Sequence, residues 1–441
     1  MAVCEILSVG TEILLGDILN TNSRFLSRKL AEMGITVHRH TSVGDNPERL
    51  AQAVREAFSR SDIVIATGGL GPTPDDITRE VCCREFGFEL EFSEEQEDKI
   101  KSYFERKGVA MAENNLRQAY IPKGGTVFEN RNGTAPGMGM KKNGKCLVIL
   151  PGPPYEMAPI FMQCAVPFLE EYRTCTIVSH EVRTIGIGES SLAALTADLL
   201  EKENPTVAPY CKPGEALLRV SARARDAETA EELAKPVIDE IINRAGEYVY
   251  GVDANGIEES VVAALKERGF TLAAAESCTA GYIAKRITDI PGASAVFHCG
   301  MVTYSNDIKI KTLGVKKETI DKYGAVSEET AREMAAGVRR VSGADMGISV
   351  TGFAGPDADE PGKAPGLIYT ALDAENFSIC EKLETGRTDR EYNRYVAASS
   401  ALSLVLKYLK RQGMFNEKQV VNCDNMRCNG HWRCSVCLPG G

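Results

Sequence analysis

Short apolar runs alternating with stretches of helical spacing constrain this chain more than any other feature. Residues 6–9 are mostly apolar, 21–33 carry an amphipathic helical pattern, 36–43 return to a strand pattern, and 47–59 are helical again. Ile63-Val64-Ile65-Ala66 is then apolar at every position. Apolar runs of this length, bounded by turn residues, read as buried strands, and strands alternating with helices form a parallel sheet covered on both faces. Cys146-Leu147-Val148-Ile149-Leu150 adds a further buried strand, ending in Pro151-Gly152-Pro153-Pro154. Residues 1–170 are therefore expected to form a three-layer α/β domain.

The 441 residues are too many for one ordinary domain. Residues 172–252 read as a small α+β unit: a strand at 176–187, a helix at 189–202, a hairpin at 206–225 turning near Pro213-Gly214, a helix at 227–244 and a short strand at 247–250. Its expected role is that of a spacer or dimer element. Residues 255–414 form a second α/β unit, opening with a helix at 256–269 and closing with one at 390–411. Strands at 270–275, 295–304, 346–350 and 366–372 lie between them, and a three-layer sandwich is expected. Residues 416–441 form a tail holding Cys423, Cys428, His431, Cys434 and Cys437. Its two cysteine pairs are too close together for the knuckles of a structural zinc site. The spacing favours a disordered tail with reactive thiols over a zinc centre.

A net charge of −10 argues against a broad nucleic-acid surface. No apolar run approaches the roughly 20 residues needed to cross a membrane. The first ten residues run into a strand pattern and lack the features of a signal peptide. Ten of the fourteen cysteines are scattered before residue 416. Together these features point to a reduced, cytoplasmic protein.

Chemistry concentrates in two places. In Ala275-Glu276-Ser277-Cys278-Thr279-Ala280-Gly281 a serine stands where a strand gives way to a helix, near the unpaired N–H groups and positive end of that helix. On this segment alone, capping by Ser277 or Thr279 and nucleophilic use of Ser277 are evenly matched. His298 is the one histidine of the unit and lies in a strand pattern, so a serine–histidine pair is poorly supplied. Lys309, five residues beyond Tyr304, supplies a serine–lysine pair if burial lowers its pKa. Tyr304 would orient or relay, and N–H groups near Cys278 or the 351–355 loop would hold the oxyanion.

The second place is the end of the strand at 63–67, which delivers Gly68-Gly69-Leu70-Gly71-Pro72-Thr73-Pro74-Asp75-Asp76. Glycines let backbone N–H groups approach an anion, and ligands of parallel sheets gather at such carboxyl ends. Capping alone explains Thr73, Pro74 and Asp76, with Thr73 opening a helix, but it leaves the three glycines unexplained. Gly10-Thr11-Glu12 ends the first strand, with Asn20 and Asn22 close behind.

These motifs resemble the CinA family. Glu276-Ser277-Cys278-Thr279-Ala280-Gly281, Val302-Thr303-Tyr304-Ser305-Asn306, the stretch from Gly324 to Glu329 and Thr351-Gly352-Phe353-Ala354-Gly355-Pro356 match its C-terminal domain. The resemblance implies a nicotinamide mononucleotide (NMN) amidase that needs no cofactor, with its nucleophile at Ser277, its base at Lys309 and its supporting tyrosine at Tyr304. Glu276, Thr279, Gly281, Ser305, Asn306, Thr351, Gly352 and Gly355 become candidate substrate contacts, and Arg387, Arg390 or Arg394 would hold the phosphate of the implied nucleotide, since arginine forks match phosphate oxygens.

The stretch from Gly10 to Asp17, that from Thr67 to Asp76 and Pro151-Gly152-Pro153-Pro154-Tyr155-Glu156 resemble the family's molybdopterin-binding-like domain. The implied activity is cleavage of ADP-ribose with a divalent cation. Gly10, Thr11, Asn20, Asn22, Thr67, Gly68, Gly69, Gly71, Thr73, Gly152 and Pro153 would bind, and Glu12, Asp75 and Asp76 would hold the metal. The middle unit is KH-like but lacks the GxxG loop that clamps nucleic acid, although Gly186-Ile187-Gly188 lies near its first helix. The family also implies a homodimer. Acidic residues at Asp357, Asp359 and Glu360 depart from the family's glycine-rich loop. The alternative is a pterin- or nucleotide-binding accessory of competence without turnover.

Overall fold

A computed structural model describes residues 2–413, apart from 359 and 361. The zinc question concerns the tail and lies outside the described residues. The chain divides into two compact units, Met1–Val178 with Arg223–Glu231, and Ser179–Ala222 with the residues from Glu232 onward. No helix among the described residues is long and apolar enough to cross a membrane.

In the first unit the predicted strands become β1 (Val3–Val9), β2 (Thr36–Val43) and β3 (Ile63–Thr67). A short ribbon of β4 (Leu90–Phe92) and β5 (Tyr120–Pro122) stands apart. β6 (Thr126–Phe128), β7 (Gly137–Lys142) and β8 (Lys145–Leu150) complete the sheet, in the order β2-β1-β3-β8-β7-β6. Side chains alternate across β1. Leu7 and Val9 join the core under the helices Pro47–Arg60 and Thr78–Phe86, while Cys4 and Ile6 join the core under Thr21–Glu32 and Pro154–Ile160. The four strands from β2 to β8 pair in parallel, as expected, but β7 and β6 are antiparallel. The cause is the turn Asn143-Gly144, both residues at positive φ, which joins β7 to β8 as a two-residue hairpin. The helix at the glycine-rich loop begins at Thr78, later than Thr73.

The second unit opens with β9 (Thr176–Ile185), β10 (Thr206–Lys212), β11 (Glu215–Ala224) and β12 (Val249–Val252), ordered β10-β11-β9-β12. The hairpin turns at Pro213-Gly214, as read, with Lys212 opposite Glu215. The single helix expected at 189–202 is instead two, Glu189–Leu195 and Ala197–Leu200. They are separated by Thr196, whose hydroxyl bonds the carbonyl of Leu192 and so competes with helix continuation.

The remainder forms β13 (Leu272–Glu276), β14 (Phe297–Val302), β15 (Met346–Gly352), β16 (Leu367–Ala374) and β17 (Phe377–Glu384), ordered β14-β13-β15-β16-β17. β13 is central and parallel to both neighbours, and β16 and β17 are antiparallel. Leu272 and Ala274 face the helices Ile257–Arg268, Tyr282–Thr288 and Arg390–Arg411. Ala273 and Ala275 face Asn306–Leu313, Lys317–Tyr323 and Glu328–Ser342. The expected three-layer sandwich is thus formed, although the helices at 317–323 and 328–342 and the strand β17 were not read in the sequence.

Candidate active site

The alternation along β13 continues past its end. Ser277 N–H donates to Val350 O at 3.0 Å, and Thr303 N–H donates to Glu276 O at 2.9 Å, so the ladder still sets side-chain direction at 276 and 277. Glu276 turns toward the 282–288 helix and is fully buried. Its two carboxylate oxygens accept from Ile283 N and Ala284 N, each at 3.0 Å. Glu276 therefore anchors a helix start, a placement that satisfies the buried charge. Ser277 turns to the opposite face and meets Lys309. After Ser277 the chain reverses sharply through Ala280 (φ 51°) and Gly281 (φ 88°). A left-handed alanine costs about 1 kcal/mol, a strain stored beside the serine.

Lys309 Nζ lies 3.0 Å from Ser277 Oγ, 3.0 Å from Thr303 O and 3.1 Å from Tyr304 O. The two carbonyls can only accept, so they take two N–H bonds. In the neutral amine the remaining position is a lone pair aimed at the serine hydroxyl. Lys309 is 1% exposed, and burial pulls its pKa down to about 8. Both requirements for a base, geometry and a poised pKa, are thus met at one side chain.

Tyr304 contributes its carbonyl to Lys309, and its side chain is 60% exposed. Ser305 caps the helix Asn306–Leu313, a role that orients Lys309 on the helix's first turn. Two buried hydroxyls flank the dyad without partners, Thr279 Oγ1 and Thr303 Oγ1. The Thr279 N–H also meets no protein acceptor among the described residues. A buried orphan N–H is rare in folded proteins and suits an oxyanion.

Of the three arginines, Arg394 grips the serine loop from outside, Nε to Cys278 O at 3.1 Å and Nη2 to Thr279 O at 2.7 Å. Arg390 Nη1 donates to Gly355 O at 2.8 Å. Arg387 lies over the ring of Tyr392, 4.1 Å from its centroid. Arg390 and Arg394 line a cavity of about 330 Å³ with Tyr282 and Glu391, and Arg387 is not among its lining residues. Thr351 Oγ1 bonds Ala325 O, and Gly352 leaves no room for a side chain against Ile368. At Gly355 (φ 101°) a Cβ would stand 2.5 Å from Thr388 O. These three residues shape the loop.

Asn393 was missed in the sequence. Fully buried, it donates to Ala354 O and Arg387 O and so ties the 351–356 loop to the last helix. Its signal was present: a polar residue on the stripe that continues with Ala397 and Ala401.

In the first unit, Gly68 (φ 100°) and Gly69 (φ 63°) carry the loop at the carboxyl end of β3, and a Cβ on Gly68 would stand 2.1 Å from Val9 O. Asn22 Nδ2 donates to Thr67 Oγ1 (3.1 Å) and Gly152 O (2.7 Å), while its Oδ1 is buried without a partner. Asn20 caps the 21–32 helix and bonds Ser8; Thr11 bonds Asp45. Gly10 and Gly152 admit close neighbours, Glu12 and Gly68 respectively, and Pro153 precedes the helix Pro154–Ile160.

The candidate metal ligands do not fit a metal as they stand. Asp76 bonds Thr73 N and Oγ1 and packs under Gly71, and Thr73 Oγ1 holds Asp75's carboxyl below its usual pKa. Glu12 is exposed. Among the described residues no three carboxylate, histidine or cysteine side chains come together in a metal-binding group.

Comparison with known proteins agrees with this architecture. Residues 5–171 match a probable molybdopterin binding domain, 179–251 the damage-inducible protein CinA KH domain, and 254–409 the CinA C-terminal domain. A CinA-like protein of Kosmotoga olearia is 48% identical over 406 residues, covering 92% of this chain and 98% of that protein. One from Dictyoglomus turgidum is 50% identical over 414 residues, covering 94% and 99%. A putative competence-damage inducible protein of Caldanaerobacter subterraneus is 46% identical over 407 residues, covering 92% and 98%. With such identity across nearly the full length of each relative, the chain belongs to the CinA family.

Proposed function

We propose that residues 255–414 hydrolyse the carboxamide of NMN to nicotinate mononucleotide and ammonia. The observation that carries this reading is the 3.0 Å contact between Ser277 Oγ and the buried amine of Lys309. Neutral Lys309 accepts the hydroxyl proton as Oγ bonds the carboxamide carbon. The oxyanion so formed meets the Thr279 N–H. Lys309 returns the proton to the amide nitrogen, ammonia leaves, and an acyl-serine remains. Water then gives a proton to Lys309 as it attacks the acyl carbon. That proton passes to Oγ as the ester bond breaks, releasing the carboxylic acid, which loses its remaining proton to solvent. Arg390 and Arg394 at the 330 Å³ cavity are suited to the nucleotide phosphate.

Ammonia release from NMN by the purified chain tests the reading. Ser277→Ala should abolish it, by a factor of about 10³ or more. Equal release by parent and variant would remove the serine from the reaction.

For the first unit the proposal is nucleotide binding at the glycine-rich loop, with ADP-ribose as the ligand the resemblance points to. The unpartnered Oδ1 of Asn22 supports it. No metal-dependent step is assigned, because the three carboxylates do not assemble. Titration calorimetry with ADP-ribose, with and without magnesium, decides between a binding site and a merely structural loop.

A further inference from the structure

The first two turns of the helix Arg390–Arg411 meet three separate parts of the fold. Arg390 and Asn393 hold the 354–355 loop, and Arg394 holds the carbonyls of Cys278 and Thr279. The next two residues face the KH-like hairpin. Tyr395 O–H donates to Glu215 Oε1 at 3.2 Å. Val396 packs on the turn at Gly214, where a Cβ would stand 3.0 Å from Val396 Cγ2. Glu215 is 5% exposed, and its other oxygen accepts from Tyr250 O–H at 2.7 Å. Arg183 completes the surroundings, 3.8 Å from the same carboxylate.

We infer that Glu215 of the KH-like hairpin is a positioning residue for the amidase site, acting through Tyr395 on the helix that grips the serine loop. An apolar seam tolerates sliding, because its attraction has no direction. A buried carboxylate shared between two phenols does not, because any displacement leaves a buried charge or hydroxyl unpaired. The hairpin therefore fixes the azimuth of the 390–396 turns. That fixes Arg394, and Arg394 draws the 278 and 279 carbonyls outward, which turns the Thr279 N–H toward the opposite side of the loop. The KH-like unit is on this account part of the catalytic scaffold and more than a spacer. The inference rests on the amidase reading for its substrate, but not for its test.

The full-length chain and its Glu215→Ala, Glu215→Gln, Tyr395→Phe and Tyr210→Ala variants are compared in two assays: kcat and KM for NMN, and the rate at which phenylmethylsulfonyl fluoride modifies Ser277, read by intact mass. Glu215→Ala should lower kcat and the modification rate about tenfold, with KM within about twofold, since small misplacements of a reacting group are costly. Tyr395→Phe should move both in the same direction. Glu215→Gln should recover most of the loss, because a phenol can accept from the amide as well as donate. Tyr210→Ala, at an exposed position of the same hairpin, should leave both unchanged. If Glu215→Ala does not fold, Tyr395→Phe carries the test alone. Rates in Glu215→Ala and Tyr395→Phe within twofold of the parent would overturn the inference. A parent that does not hydrolyse NMN ends the functional reading, and the modification rates then decide the inference. Where the parent hydrolyses NMN but is not modified, kcat decides the inference; a parent that neither hydrolyses NMN nor is modified at Ser277 ends both.

Discussion

At the residue scale the decisive quantity is the protonation of Lys309. Burial lowers its pKa to about 8, and only the neutral amine can take the serine proton. kcat/KM for NMN should therefore rise with pH and level off above an apparent pKa near 8. A profile flat from pH 6 to 9 would exclude lysine as the base. The same shift has a stability consequence. The folded chain releases this proton near pH 8, the unfolded chain near 10.5, so between those values the unfolded state binds more protons and stability rises with pH. Relative to Lys309→Met, the parent should gain roughly 2–3 kcal/mol between pH 7 and pH 10, measured by urea unfolding. Taking the change in that difference from pH 7 to pH 10 cancels the donors lost to Thr303 O and Tyr304 O, which cost the same at every pH. Ser277 and Lys309 were readable in the sequence because chemistry restricts which residue types can pair. The contacts of Glu276 with the 283 and 284 N–H groups, and of Lys309 with the Tyr304 carbonyl, were not, because they depend on strand parity and on which backbone groups the fold leaves open.

At the element scale, glycines show where pattern reading stops. In a helix interior glycine reads as a weak point, worth about 1 kcal/mol against alanine. Gly337 lies within the helix Glu328–Ser342, yet a Cβ there would stand 2.3 Å from Leu313 O. Packing should outweigh propensity, because the obstacle is backbone and cannot rotate away. Gly337→Ala should therefore destabilise the second unit by about 2–3 kcal/mol, read as a lower denaturation midpoint. A gain in stability would mean the helix can retreat from Leu313. The same close approach appears at Gly347, whose Cβ would meet Ala335 O at 2.2 Å. Neither contact has a signature in one sequence, since both depend on elements brought together by the sheet order. By contrast Asn143-Gly144 announces its hairpin locally, and the antiparallel edge of the first sheet could have been read from that pair.

At the scale of the whole molecule, both α/β units use one plan: parallel central strands buried on two faces, an antiparallel edge, and candidate site residues at the carboxyl ends of the central strands. Alternation of strand and helix made that plan readable, because it depends only on short-range periodicity. Each unit closes its own hydrophobic core, so damage to one loop should remain local. Gly68 gives a clean probe: at φ 100°, with Val9 O in the way, alanine there strains the backbone and forces the loop from β1. Gly68→Ala should lower the unfolding transition of the first unit by about 3 kcal/mol or more and abolish ADP-ribose binding. NMN hydrolysis by the same variant should stay within about twofold of the parent, since the Ser277–Lys309 pair and all that holds it lie in the other unit. Parallel loss of both would mean that the two units share more than a chain, and would make the first unit a regulator of the second.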